Sequence, residues 1–195
     1  MQRLVFTVII AALAVGCSST QPQPDETSPA GAVEPPAWVA RGAAAFPNDA
    51  GKTFFGVGVA EAKVFSGEYL QRTAAAERAR AGIAGQLRTM AAFVFKAYAE
   101  AAMTPGMDPR EMAGLAASVQ RNVVDAAMPD AETRGAWVDP VTGDTYELAA
   151  VSFDSAARAL RSALIAMEKD RLRVDVPAAH KELDSLIEKY HATMK

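Results

Sequence analysis

Residues 53–62, TFFGVGVAEA, combine bulky β-forming side chains with two glycines one residue apart, and this combination constrains the fold more than any other feature. The apolar run is short and rich in aromatic and β-branched residues, which predicts a strand. A glycine inside a strand often marks the close approach of another part of the chain, because it has no side chain. We therefore expect the helix that follows, or Trp38, to lie directly on the strand at Gly56 and Gly58.

An alanine-rich segment from about Ser66 to Ala102 follows this strand and predicts one long helix. Ser66 can cap its N-terminus, and Glu68 falls in its first turn. Apolar residues recur along the segment at steps of three and four, which is the spacing of one buried helical face. Arg80 interrupts this stripe where an apolar residue is expected. The members of the stripe are Ala76, Ile83, Leu87, Met90 and Val94.

The rest of the chain contains further helical and strand patterns. A second helix is predicted over residues 108–127, and two β-like runs flank the turn sequence at residues 139–144. Two more helices, over residues 154–171 and 177–194, close the chain. This order predicts an α+β fold, in which a long helix packs on a small, about three-stranded antiparallel sheet with further C-terminal helices.

The N-terminus has the layout of a secretory signal. Arg3 precedes an unbroken apolar run from Leu4 to Val15, and small residues lead to Cys17, the only cysteine of the chain. The run is too short to span a bilayer as a helix, which takes about 20 residues. The sequence LAVGC resembles the bacterial lipobox, and this resemblance implies cleavage before Cys17 and lipid attachment to its sulfur.

Lipid attachment implies a stable membrane anchor, because each buried methylene contributes about 0.8 kcal/mol and more than one acyl chain makes anchoring stable. Ser18 follows the cysteine, where an inner-membrane retention signal would have Asp, so we predict the outer membrane. A stretch rich in Pro and Ser comes next and is typical of an extended linker. The predicted organisation is a signal peptide over 1–16, the lipidated Cys and linker over 17–36, a folded domain over 37–171 and a C-terminal amphipathic helix over 172–195.

Composition argues against one class of partner. The chain has 20 Lys and Arg against 23 Asp and Glu, a formal net charge of -3, and no basic cluster. Affinity for a nucleic-acid backbone depends on clustered Lys and Arg side chains that neutralise phosphates. We therefore expect no nucleic-acid binding.

The order of the predicted elements resembles the LPP20 family of lipoproteins. A tryptophan after prolines, the GVGVA strand, a helix with AERARAGIAGQL and the segment GAWVDPVTGDTYELAAVSF follow one another over roughly residues 36–160. The resemblance implies a helix packed on a small antiparallel sheet, and it implies no catalytic residue. The chain departs from the family after Arg171. The residues that match the family pattern are Ala79, Arg80, Ile83 and Leu87 in the helix and Trp137, Asp139, Tyr146 and Leu148 in the hairpin.

The glycine pair lacks the rest of a phosphate-binding loop. The fingerprint G-x-G-x-x-G requires a third glycine where Glu61 stands, and a carboxylate there would repel phosphate. The predicted helix also begins several residues later, so its N-terminus does not face the glycines. No G-x-S-x-G elbow occurs, and Cys17 is assigned to lipid. We therefore predict no cofactor and no catalytic residue.

Metal-binding patterns are also incomplete. His180 and His191 lie on one predicted helix, about 16 Å apart along its axis, so they cannot share one ion without a bend or a partner chain. We expect both histidines to be solvated helix residues. Asp139, Asp144 and Glu147 lack the spacing of a calcium loop, and turn formation explains the first two more simply.

Three residues are candidates for protein interaction: Arg80, Trp38 and Trp137. Arg80 interrupts the helical stripe, so its side chain could pair with Glu77 or another helix carboxylate, face a partner, or lie over the sheet edge. The alternative is a ligand-binding or catalytic site formed by scattered residues such as Arg80, Asp139 and Tyr146.

The sequence therefore favours a non-enzymatic envelope lipoprotein, a membrane-anchored interaction or assembly module that faces the periplasm or the cell surface. Its interaction surfaces would be the exposed sheet edge, which can accept a strand, and the C-terminal helix, which can pair with a second copy. The alternative hypothesis is a ligand-binding protein or an enzyme of the cell envelope.

Overall fold

The structure, a computed structural model, describes residues 34–102, 108–171 and 176–194. Cys17, the predicted signal peptide and most of the predicted linker lie outside these residues. Short 3-10 turns follow α1 and α3. The helices are α1 (Ala37–Arg41), α2 (Glu68–Ala102), α3 (Pro109–Ala127), α4 (Phe153–Arg171) and α5 (Val176–Thr193), and the strands are β1 (Thr53–Ala60), β2 (Glu132–Val138) and β3 (Thr145–Ser152).

The three strands form one antiparallel sheet in the order β1-β3-β2, so β3 is central and the other two are edge strands. The predicted hairpin loop joins β2 to β3, and within it the N–H of Asp139 donates to the carbonyl oxygen of Asp144 at 2.9 Å. Gly143 has a φ of 73°, a conformation that glycine adopts without strain. With α2 packed across this sheet, the chain has the α+β fold expected from the sequence.

Strand alternation gives the sheet two faces, and α2 covers the one that we call the helix face. Gly56 and Gly58 lie on this face, where a Cβ on either residue would overlap a backbone carbonyl oxygen of α2. The two carbonyls belong to Ala79 and Ala75. The predicted close approach is confirmed, and the element that lies on the glycines is α2 and not Trp38.

The buried stripe of α2 is continuous along the sheet. Ala79 is buried, Ala76 is half-buried and Arg80 is exposed, so the expected interruption at Arg80 is wrong. Small alanine side chains at this end of α2 allow the helix backbone to approach the strand. The buried members of the stripe here are Ala75, Ala79, Ile83, Leu87, Met90 and Val94.

The C-terminal half of α2 extends past the sheet, because 35 helical residues span about 52 Å and eight strand residues only about 27 Å. α3, α4 and α5 pack with this half and extend the core. Leu183, Leu186 and Ile187 of α5 are buried in that core, as expected of the apolar face of an amphipathic helix. Pairing of this helix with a second copy stays a prediction.

Candidate functional site

The outer face of the sheet, opposite the helix face, is lined by apolar and aromatic side chains. Neighbouring strands place side chains side by side on one face, where they pack in cross-strand pairs. The rings of Trp137 and Tyr146 form such a pair, with centroids 5.3 Å apart. The register places on this face Phe55, Val57 and Val59 of β1, Tyr146 and Leu148 of β3, and Trp137 of β2.

The short helical segment that precedes β1 covers part of the outer face. The indole of Trp38 lies against Gly135, about 3.4 Å from where a Cβ would stand. The ring of Phe46 stacks on that of Phe55 with centroids 4.5 Å apart. Leu148, which pairs with Gly135 in the sheet, is buried at 2% exposure. The aromatic pair on β2 and β3 lies beside this cover and stays half-exposed.

A cleft of about 350 Å³ opens between the same segment and the sheet. Its walls include the rings of Trp38, Phe46 and Phe55, and its charged groups are Asp49 and Arg134. Small-molecule sites usually have volumes of about 300–1,000 Å³ and combine apolar walls with a few polar groups. The cleft can therefore hold an apolar or aromatic group that has one polar end.

Side chains of α2 occupy the free edge of β1. Nε2 of Gln86 donates to the carbonyl oxygen of Phe55 at 2.7 Å, and Nη1 of Arg78 donates to the carbonyl oxygen of Val59. The guanidinium of Arg78 also lies over the ring of Phe65, 5.3 Å from its centroid. An edge strand presents unpaired backbone groups that can pair with another chain. The β1 edge is closed at two of its carbonyl groups.

The free edge of β2 has no such cover from any residue that the structure describes. The hydrogen bond that closes the hairpin loop fixes the alternation along β2, and this alternation turns the backbone groups of Ala136 and Val138 outward. A β-bulge after Thr133 interrupts the ladder before this point. The open edge is therefore the stretch Gly135–Val138.

Two of the three candidate interaction residues lie on the same surface. Trp38 and Trp137 both belong to the outer face, since Trp38 rests on Gly135, two residues before Trp137. Arg80 is exposed on α2, in the other layer, and no ion pair joins it to Glu77 or to any other carboxylate in the described ranges. Its role in partner binding stays a prediction.

Sequence reasoning missed the two residues that cover the β1 edge. Arg78 and Gln86 each precede a buried residue of the α2 stripe, Ala79 and Leu87. They therefore lie along the same side of this stripe, and we call each side of the stripe a shoulder of the helix. Two polar side chains on one shoulder, next to a strand that contains glycines, were a signal that could have found them. Arg80 follows Ala79 and lies on the opposite shoulder.

The region after the glycine pair differs from a phosphate-binding loop. Glu61, directly after β1, forms an ion pair with Lys63, whose ammonium nitrogen lies 2.8 Å from the carboxylate. The hydrogen bond and the charge of Glu61 raise the pKa of Lys63. α2 begins only at Glu68. The two glycines therefore serve the packing of α2 on the sheet.

The three acidic residues of the hairpin have separate roles. Oδ1 of Asp139 accepts from the N–H of Val141 at 2.8 Å, as expected of a turn aspartate. Oδ1 of Asp144 accepts from the N–H of Ala62 at 2.9 Å, which ties the hairpin loop to the segment after β1. Glu147 lies on the helix face. Across the described ranges, no group of three or more His, Cys, Asp or Glu residues could hold a metal ion.

Glu147 is a buried carboxylate between the sheet and α2, at 4% exposure. Its Oε1 lies 3.4 Å from Nε of Arg72, and its Oε2 has no hydrogen-bond partner among the described residues. Nearby, Oγ1 of Thr145 donates to Oε1 of Gln71 at 2.9 Å. A buried charge is costly unless it is paired, so these contacts hold the first turns of α2 on β3.

His191 is half-buried, and the expectation of a solvated side chain is wrong for it. Its ring stacks on Phe153 with centroids 4.4 Å apart, and its buried Nε2 has no hydrogen-bond partner among the described residues. The side chain of His180 lies outside the described residues. The neighbouring Tyr190 contacts Phe93, with ring centroids 5.4 Å apart, and burial raises the pKa of its phenol.

In comparisons with known proteins, no family model and no curated protein sequence matches this chain. Membership of the LPP20 family is therefore a proposal that depends on the order of the sequence elements. In the part of the chain that the structure describes, every helix is too short or too polar to cross a membrane.

Proposed function

We propose that this chain is a non-enzymatic bacterial envelope lipoprotein, similar to the LPP20 family, that acts as a membrane-anchored interaction or assembly module. Lipid on Cys17 holds it at the outer membrane, and the folded part faces the periplasm or the cell surface. The observation that carries the interaction role is the open edge Gly135–Val138, which lies beside a half-exposed aromatic pair on the outer face.

The charged side chains of the described residues support a binding role more than a catalytic one. Glu147 pairs with Arg72 at the helix face, and Asp139 forms a turn. Tyr146 packs on Trp137 and is separated by the sheet from the exposed Arg80. The scattered residues considered as an alternative site therefore do not converge. Aromatic side chains such as those of the outer face are enriched in the cores of protein interfaces.

Anchoring is tested by the chemistry of the mature N-terminus. Cells that produce the full chain should incorporate labelled palmitate into it, and mass spectrometry should find an acylated N-terminal peptide that begins at Cys17. Cys17→Ser should abolish the label and release the protein from the membrane fraction. An unmodified Met1 in the mature protein would sink the anchoring proposal.

The interaction role is tested by photo-crosslinking in intact cells. A photoreactive phenylalanine analogue at Trp137 should capture a protein partner, because this side chain stands beside the open edge. The matched control is the same analogue at Phe93, an exposed aromatic residue of α2 at 42% exposure that is remote from the sheet edge. Capture at Phe93 equal to that at Trp137, or none at either position, would contradict the role of the edge.

A second candidate function, envelope ligand binding, is favoured by the cleft between Trp38 and Arg134. The chain has two tryptophans, so Trp137→Phe leaves Trp38 as the only indole fluorophore. Its emission should change when an extract of periplasmic small molecules is added, and Asp49→Asn should reduce the change. If the Trp38 emission of the Trp137→Phe variant does not change while Asp49 is intact, the extract contains no ligand of the cleft.

A further inference from the structure

The open edge of β2 offers a small and well-defined set of hydrogen-bonding groups. Ala136 and Val138 each turn one N–H and one C=O outward, and no described residue bonds to them. On the outer face, Trp137 stands between these two residues. On the helix face, the side chain of Val138 is 49% exposed. A partner that fits this edge must supply an extended backbone and apolar side chains.

A second copy of the same edge meets both requirements. In an antiparallel arrangement with a two-fold axis at Trp137, Ala136 of each copy stands opposite Val138 of the other. Each of these pairs exchanges two N–H to O=C bonds, so the dimer forms four bonds and uses every outward group of the two residues. An interface with this symmetry is isologous, and each copy contributes the same patch.

The side chains agree with this register. Trp137 of one copy stands opposite Trp137 of the other on the outer face, in a non-hydrogen-bonded pair where side chains are closest. Tyr146 already packs on Trp137 at 5.3 Å, so four aromatic rings would follow one another across the joined sheet. On the other face, Ala136 meets Val138. The hydrogen-bonded pairs and the central pair contain no charged side chain.

The neighbouring register is less suitable. A shift that moves the two-fold axis to Ala136 sets Val138 opposite Arg134, where the β-bulge interrupts the strand. It also sets Trp137 opposite Gly135, a position that Trp38 already covers. The edge of β1 is a poor substitute, because Gln86 and Arg78 occupy two of its carbonyl groups.

We propose that the partner of the open β2 edge is a second copy of this chain, joined through antiparallel pairing of Ala136–Val138 about Trp137 into a continuous six-stranded sheet. This inference rests on the proposed interaction role and names its partner. Three paired residues in each copy form a smaller interface than stable complexes have, so the dimer is weak in dilute solution. Confinement of anchored copies to a membrane raises their effective concentration and favours it.

Disulfide trapping in intact cells tests this register. Trp137→Cys in the full chain should form a disulfide-linked dimer under mild oxidant, because the Cα atoms of a central non-hydrogen-bonded pair lie about 4.5 Å apart, within the range that a disulfide spans. The unsubstituted chain, whose only cysteine is Cys17, is one control. The matched control is Val141→Cys, in the hairpin loop at 90% exposure, which should crosslink at least five-fold less.

Two variants then remove the pairing in the Trp137→Cys background. Ala136→Pro deletes an outward N–H without removing a bond to β3, so the fold is retained and the dimer yield should fall at least five-fold. Val138→Lys places an exposed charge at the edge and should act in the same direction. Circular dichroism and urea unfolding of each variant check the fold, and Val138→Lys decides the test if Ala136→Pro unfolds.

The outcomes separate this inference from the proposed function. Equal crosslinking at Val141→Cys, or an unchanged dimer yield in a folded edge variant, overturns the second copy as partner. A different protein captured by the photoreactive residue at Trp137, with no disulfide dimer, overturns it as well but retains the interaction role. An unacylated Cys17 overturns the anchor, and a disulfide-linked dimer of Trp137→Cys found in that case still supports the second copy as partner.

Discussion

The two edge strands of the sheet differ in how far side chains cover their free edges. At β1, Gln86 and Arg78 bond to the outward carbonyls of Phe55 and Val59. At β2, no described residue bonds to the outward groups of the stretch Gly135–Val138. One sheet therefore has an edge that side chains of its own helix cover and an edge that no described residue covers.

The difference originates in the glycine pair of β1. Gly56 and Gly58 let the backbone of α2 rest on this strand, and the side chains of Arg78 and Gln86 then reach the strand edge. β2 lies on the other side of β3, two strands away, and no described side chain of α2 bonds to it. The glycine pair therefore allows α2 to cover the edge of β1, and β2 has no corresponding contact with α2 through glycines.

The largest effect is expected from a side chain at the glycine contact. In Gly58→Ala, the Cβ overlaps the carbonyl oxygen of Ala75, which is backbone and cannot rotate away. α2 must move off β1, and we expect the free energy of unfolding to fall by about 3 kcal/mol. Urea unfolding measures the change. The loss of contact should also withdraw Gln86 and Arg78 from the edge.

Gly85→Ala is the control for this variant, because Gly85 lies on α2 and an added Cβ there has no atom within 4 Å. Alanine has the higher helix propensity, so this change should stabilise the protein by about 0.5–1 kcal/mol. If Gly58→Ala unfolds at the same urea concentration as the unsubstituted chain, the account of the β1 edge is wrong.

The next effect concerns the buried carboxylate on β3, between the two edges. Arg72→Met removes the charged partner that Glu147 has among the described residues, and we expect the free energy of unfolding to fall by about 2 kcal/mol. Glu147→Gln added to this variant should restore part of the lost stability, and a double-mutant cycle gives the coupling energy between the two side chains.

The control is Glu68→Gln, which alters the exposed partner of Arg72 at 3.8 Å and should change stability by less than about 0.5 kcal/mol. Equal losses in the two single variants of Arg72 and Glu68 would contradict the pairing.

The order of elements could be predicted from local pattern, and so could the glycine contact. The spacing of Ile83, Leu87 and Met90 predicts a buried helical face, whichever element packs on it. A turn sequence that contains Gly143 predicts a hairpin. The edges could not be assigned in the same way. Their state depends on the strand order β1-β3-β2 and on which shoulder of α2 faces β1, and both are tertiary properties.

The same reason explains the errors at individual residues. Arg80 breaks a stripe that begins at Ala76, but the true stripe passes through Ala75 and Ala79, since the helix packs on backbone and needs small residues there. Trp38 was an alternative cover for the first strand, yet it rests on Gly135. Side-chain size suggests that a contact exists, whereas the partner in that contact is set by the register of the sheet.

A smaller effect is expected when the β1 edge is opened without moving α2. Arg78→Ala combined with Gln86→Ala removes two hydrogen bonds to this edge, and we expect stability to fall by about 1–2 kcal/mol. The freed carbonyls of Phe55 and Val59 should also let the protein associate at high concentration, which sedimentation velocity detects.

Arg80→Ala is the matched control for that double variant, since Arg80 is exposed on the same helix and bonds to no strand. Its stability should change by less than about 0.5 kcal/mol, with no new association. If the double variant sediments as the unsubstituted chain does, side-chain cover is not what keeps the β1 edge from pairing.

The smallest effect lies away from both edges, at the contact of α5 with α2. Burial raises the pKa of Tyr190 above its ordinary value of 10.0, so the folded state holds the phenolic proton more tightly than the unfolded state does. The stabilisation is complete below pH 10 and is lost as the pH rises through the higher folded pKa. Tyr190→Phe should reduce this alkaline loss, measured by urea unfolding between pH 9 and about 11. Because α5 packs with the C-terminal half of α2, the bonds of Gln86 and Arg78 to β1 should survive the same pH change. A variant that loses stability as steeply as the unsubstituted chain would assign the alkaline transition to another group.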